Sequence, residues 1–349
     1  SDSFISYDCG GLLAGTRLHD LLEDRRGIIW IATRDSGLIA FDPETAFCVQ
    51  YSHDPTDPCS ISSNHVCCLL EDSRGNLWAG TWEHGINVYD RRRDVFLKAG
   101  VGNDGHAPNS SQIRCLAEDA CGRVWVGTSD GLSIRSPETG LWSYSKRHND
   151  VPGTLSYNIV NCILADSLGA VWIGTHGGGV SLCHPALGQF RLIDPKMETG
   201  RDYGYVGPMV EIDGDIWTGT EGGGLGRWDP QRRKYTFYNI RRGNSSGSSE
   251  NTVRALCADR NGMLWVGTYA GGVLLFNPRG GSVVRHYGAA EGLGNSIINE
   301  IFEDSEGTLW VGSNSDEGLY FKRPGSPVFE RCVSEFEDGA WGDPGGSHD

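Results

Sequence analysis

The chain has 349 residues, 50 of them glycine, and a formal charge of −15. That acidic balance excludes general affinity for nucleic acid or for an anionic membrane surface. No apolar run reaches the roughly 18–20 residues that span a bilayer, so direct membrane insertion is not expected.

The chain opens on polar Ser1-Asp2-Ser3, as a mature or excised segment would, followed by the short strand pattern Phe4-Ile5-Ser6-Tyr7. From there one motif recurs along the chain. Trp30, Trp78, Trp125, Trp172, Trp217, Trp265 and Trp310 are separated by 48, 47, 47, 45, 48 and 45 residues, and a glycine lies three positions before each. A period of this length in strand-like sequence predicts a circular array of small sheets.

The unit 112–146 serves as the pattern. Residues 113–118 read as a first strand, and Asp119 to Gly122 as a turn capped by the aspartate. Val124-Trp125-Val126-Gly127-Thr128 is a second strand, Leu132 to Arg135 a third, and Leu141 to Ser145 a fourth. The Asp-x-x-Gly turn recurs at Asp24, Asp72, Asp166, Asp259 and Asp304 without the further oxygen ligands of a calcium loop. Four antiparallel strands in each of seven units predict an all-β fold, a seven-bladed β-propeller of four-stranded antiparallel blades. One domain, 1–337, is expected, with 338–349 as a disordered tail or linker. The outer strand of the last blade has two candidates. Phe4 to Tyr7 is preferred, and Val328 to Val333 is the alternative.

Eleven cysteines are odd in number and include no C-x-x-C pair. Cys68, Cys115 and Cys162 share one repeat position, so unpaired, packed thiols are expected. No spacing reads as a metal site or a cofactor motif.

The repeat resembles the two-component regulator propeller repeat of periplasmic sensor regions in bacterial hybrid two-component systems. The resemblance rests on segments such as 69–81, Leu-Leu-Glu-Asp-Ser-Arg-Gly-Asn-Leu-Trp-Ala-Gly-Thr, and on the loops 51–64 and 149–158. Unit five departs most, because Glu211-Ile212-Asp213-Gly214 shortens its turn. The resemblance implies ligand sensing, commonly of glycans, in a periplasmic or extracellular setting. Adjoining propellers, a β-domain and a kinase region would be the partners.

In a repeat protein, function is sought where equivalent positions stop matching. Six residues before the turn aspartate, allowing one deletion in unit five, lies an apolar column: Leu18, Val66, Ile113, Val160, Val206, Val253 and Ile298. The positions flanking it are polar and unequal, and they are expected to ring the mouth of the central channel together with the loops after each tryptophan strand. The candidate ligand-binding residues are Arg17, His19, His65, Trp82, Glu83, Arg114, Asn161, His176, Tyr205, Glu221, Arg254, Tyr269 and Asn299. Aromatic rings suit stacking on a saccharide, and amide, carboxylate and guanidinium groups suit its hydroxyls. Arg17, Arg114 and Arg254 also suit a carboxylate or sulfate.

Three classes of function fit this rim. A non-catalytic saccharide sensor is favoured, acting through adjoining domains or a homodimer mate. A polysaccharide lyase would use an arginine with His19, His65 or Tyr205. An interaction scaffold is the third. A nucleophilic Cys67 is weighed less than a packed thiol.

Overall fold

The alternation of apolar and small residues in each unit produces short strands, and tight turns fold them back on one another. In the computed structural model, residues 13, 16–45, 47–99, 105–184, 188–194, 205–241, 249–293, 297–313 and 319–331 are described. They form seven four-stranded antiparallel sheets, each built from consecutive strands. This is the expected seven-bladed propeller, and the described residues include no α-helix.

The apolar column is core: Leu18, Val66, Ile113, Val160 and Ile298 are 0 % exposed. The small residue two places after the repeat tryptophan, alanine in blade one and glycine in the others, lets the next blade approach closely. A Cβ on Gly127 would lie 2.6 Å from a methyl of Val160 in the next blade. The threonine that follows turns back on its own loop: Thr33, Thr81, Thr128, Thr175, Thr220 and Thr268 each donate to a loop-closing glycine carbonyl at 2.7–3.0 Å. Gly272, with φ +71°, cannot carry a side chain, because a Cβ would meet the Tyr287 carbonyl at 2.4 Å.

At the opposite end, the turn aspartate does more than cap. Its Oδ1 accepts backbone N–H groups of the turn, as Asp24 does from Arg26 and Ile28. Its Oδ2 accepts the indole N–H of the repeat tryptophan at 2.7–3.1 Å in six blades. The constant interval of six residues between aspartate and tryptophan is the sequence trace of this bond. Blade five replaces it with a two-residue turn at Asp213 (φ 53°) and Gly214 (φ 84°), the left-handed pair of a tight hairpin.

Each repeat tryptophan is 1–7 % exposed and fills a seam between blades. It meets one residue from the third strand of the following blade. That residue is Tyr89 against Trp30, Phe276 against Trp217 and Phe41 against Trp310, with ring centroids 5.2–6.0 Å apart. Arg135 and Lys322 lie over Trp78 and Trp265 as cations, at 5.3 and 5.7 Å. Trp228 packs in one cluster with Trp172, and Cys183 in one cluster with Trp125. A second tie spans five seams. A glutamate ending the innermost strand accepts a backbone N–H from the preceding blade's turn, as Glu118 does from Ser73 and Glu23 from Ser305.

Two expectations change. Glu330–Arg331 supplies the outer strand of blade seven, so that position is taken from the C-terminal side rather than by Phe4 to Tyr7. Phe329 anchors this short strand, packing edge-on against Trp265 and Tyr287. Phe4 to Tyr7 and 338–349 lie outside the described residues. The second change concerns the cysteines: Cys48 is disulfide-bonded, to a partner outside the described residues, so not every thiol is unpaired. Cys68, Cys115 and Cys162 are free, as expected.

Candidate functional site

Each innermost strand carries an irregularity one residue after its apolar anchor. Register shifts fall between Leu18 and Asp20, Val66 and Cys68, Val160 and Cys162, Val253 and Ala255, and Ile298 and Glu300. A bulge leaves one residue out of the ladder and re-aims its side chain. The residues skipped are His19, Cys67, Asn161, Arg254 and Asn299, and Arg114 occupies the same place in blade three. The fold thus ejects the unequal column from the sheet.

These side chains meet at one opening in two groups. The first lines a cleft of about 660 Å³: Arg17, His19, Arg34, His176, Tyr205, Glu221, Ser249, Thr252, Arg254, Tyr269 and Asn299. Arg17 and Arg34 are neighbours, because the Arg34 backbone N–H donates to the Arg17 carbonyl at 2.9 Å. Tyr269 is 43 % exposed, and the Arg254 guanidinium lies over its ring at 5.8 Å. His176 and Tyr205 meet edge to face at 5.6 Å.

The second group is engaged internally. His65 bridges the two groups, lying 5.1 Å from His19 and stacked 5.8 Å from Trp82. Arg114 sits over Trp82 at 5.3 Å and donates to the Asn161 Oδ1 at 2.9 Å. The Asn161 amide in turn donates to the Val206 carbonyl at 3.2 Å. Glu83 is exposed beside His65. Trp82 therefore already carries two ring partners, whereas Tyr269 is the more open aromatic surface. The loop residues Asn314 to Glu317 lie outside the described residues.

Burial and neighbouring cations set the protonation of the two histidines. His19 is pushed down to about 4, chiefly by burial and then by His65, Arg34 and Arg254. His65 is lowered for the same first reason, with Arg34 next. Both are neutral at neutral pH, and a base as weak as His19 is poorly matched to proton abstraction there. Burial raises Tyr205.

Among the described residues, four buried side-chain polar atoms lack a partner, and three belong to this rim: His65 Nε2, Arg114 Nε and Asn299 Oδ1. Such atoms call for a water or a ligand.

One layer below, the repeat position of Cys68, Cys115 and Cys162 extends into a ring that also holds two carboxylates. Asp20, Cys68, Cys115, Cys162, Ala255 and Glu300 are equivalent, each paired with the glycine or alanine of the neighbouring strand. Asp20 accepts the Leu21 and Leu69 N–H groups at 2.8 and 2.6 Å. Burial raises its carboxyl to about 7. Glu300 is pushed well above the carboxylate range by burial and by the Asp20 charge. Burial also lifts the Cys162 thiol to about 12. The Cys67 thiol donates to the Gly80 and Ile113 carbonyls, the packed arrangement expected of it. Reading the repeat two places past its apolar anchor would have exposed the two carboxylates. Among the described residues no cluster of His, Cys, Asp or Glu is arranged to hold a metal ion, and no helix is long and apolar enough to cross a membrane.

A family model for the two-component regulator propeller matches residues 11–35, 60–83, 107–130, 154–177, 247–270 and 292–315. Only blade five, with its altered turn, escapes it. No curated protein matches in sequence. Among solved structures, the extracellular domain of a hybrid two-component system from B. thetaiotaomicron is 22% identical with a TM-score of 0.71. That match covers 89% of this chain and 39% of the other, so the chain spans well under half of its relative's length. A catalytically inactive virginiamycin B lyase from Staphylococcus aureus, solved with quinupristin, is 15% identical with a TM-score of 0.67, over 88% and 94% of the two chains. At these identities the likeness is one of fold. With its repeats matched in six of seven blades, the chain belongs to the two-component regulator propeller family.

Proposed function

We propose that this propeller is a non-catalytic sensing module whose ligand is an extracellular saccharide bound in the central cleft. The observation that carries the reading is the cleft itself. Its volume falls in the range of small-molecule sites, it holds an exposed aromatic ring, and buried polar atoms at its rim lack partners. Membership of the family supports a sensing role. The disulfide at Cys48 supports an oxidising compartment such as the periplasm. Adjoining domains of a longer parent, or a second copy, would receive the signal. A ring of interlocked blades bends little, so occupancy would act by changing how the rim meets those partners.

Binding of a neutral and acidic oligosaccharide array, followed by calorimetry on each hit, tests the reading. Tyr269→Ala and Asn299→Ala should each weaken a hit by roughly 10-fold. An array without hits, or hits indifferent to both substitutions, would sink it.

A further inference from the structure

Resting on that reading, we infer that the saccharide is acidic, and that its oxyanion, a carboxylate or a sulfate, docks between Arg17, Arg34 and Arg254.

The first support is an imbalance of pairing. The chain has many more carboxylates than cations, and several of its arginines elsewhere pair with them. Arg91 joins Asp24 and Glu71, Arg123 joins Asp119, Arg227 joins Asp215, and Arg260 joins Glu303. Arg17, Arg34 and Arg254 have no ion-pair partner among the described residues, although all three line one cleft. Glu221 is the single carboxylate in that lining.

The second support is convergence. The backbones of Arg17 and Arg34 are bonded to each other, which brings both residues to one side of the cleft, and Arg254 lies over Tyr269. Guanidinium groups gathered in one cleft match a planar oxyanion with paired N–H donors, whereas a neutral sugar offers them only single hydroxyls. The field there is positive enough to help keep His19 unprotonated.

The third support is the unpartnered Asn299 Oδ1, an acceptor in the same cleft suited to a sugar hydroxyl. Arg114, by contrast, is committed to Asn161 and Trp82, and takes no part.

The test compares each acidic oligosaccharide hit with its carboxyl-reduced or desulfated form, by calorimetry on the full chain. The acidic form should bind roughly 10–100-fold tighter, and its affinity should fall as salt is raised from roughly 50 to 300 mM. Arg34→Gln with Arg254→Gln should erase most of that advantage while thermal melting stays unchanged. Asn299→Ala should weaken both forms alike. The carboxyl-reduced and desulfated arms tell which oxyanion is read. Hits confined to neutral sugars, or acidic hits unaffected by reduction and desulfation, would overturn this inference and leave saccharide sensing standing. An array with no hits would overturn both.

Discussion

The seam joining blade seven to blade one and the seam joining blade three to blade four use equivalent positions of one repeat, yet little that spans them is alike. At the first, Phe41 meets Trp310 at 6.0 Å, and Glu23 accepts both the backbone N–H and the hydroxyl of Ser305 at 2.8 and 2.6 Å. The Asn299 amide also donates to the Leu18 carbonyl at 3.1 Å. At the second, Cys183 stands where other blades place a ring or a long cation, and Ala165 stands where five blades place the tying glutamate. The space left is a crevice of about 420 Å³ lined by Trp125, Trp142, Phe190, Leu141 and Arg123. In a ring whose stability is a sum of neighbour contacts, the strong joint closes the circle and the weak one lies nearly opposite.

Breaking the strong joint should have the largest effect. Phe41→Ala should cost about 3–5 kcal/mol in denaturant unfolding, because a 1 % exposed ring leaves a cavity at the closing seam. Cys183→Ala should cost far less. An equal loss at both seams would remove the distinction.

The carboxyl pair at the same closing seam gives a pH-dependent test. Asp20 has its folded pKa raised to about 7 from 3.8, so its contribution is full below pH 3.8 and is lost as pH rises through 7. His19 has its pKa lowered from 6.5 to about 4, so its contribution is present above pH 6.5 and is lost as pH falls through 4. Glu300 is likewise raised, chiefly by burial, so Glu300→Gln replaces a carboxyl that ionises readily only in the unfolded chain, and it should stabilise the ring by roughly 1–3 kcal/mol at pH 8 and not at pH 4. Melting curves of both proteins across this range check it, and a gain independent of pH would refute the raised carboxyl at Glu300.

The smaller tests concern single ties. Glu23→Ala should cost about 1–2 kcal/mol, the worth of two bonds to an ionised acceptor at a partly exposed site. Cys183→Phe should stabilise by about 0.5–1.5 kcal/mol by filling the crevice with the ring that the repeat places elsewhere. A destabilised Cys183→Phe would mean that the crevice walls cannot accept it.

The blades were legible because a tryptophan with fixed neighbours must sit at a fixed place in a ring. The unequal column was legible for the same reason, since Leu18, Val66 and their equivalents mark where to look beside them. Three things were not. The bulges at His19 and Arg254 depend on pairing across strands, which no single strand reveals. The meeting of Asp20 with Glu300 depends on closure, because the two lie at opposite ends of the chain. The outer strand of blade seven rests on two residues, Glu330 and Arg331, which carry no alternation of their own. Arg34 was not among the candidates, because the backbone bond that sets it beside Arg17 in the cleft leaves no trace in the sequence.

Many rings lock by weaving one end of the chain into the sheet begun by the other. Here every described sheet is made from strands in unbroken succession, and among the described residues the first and last sheets meet through side chains, including the Glu23 bonds to Ser305 and the Asn299 bond to Leu18. New termini cut between any two neighbouring units would therefore leave all seven sheets whole, so circularly permuted versions of this protein should fold, and the permutant opened in the 146–159 connection between blades three and four should lose least.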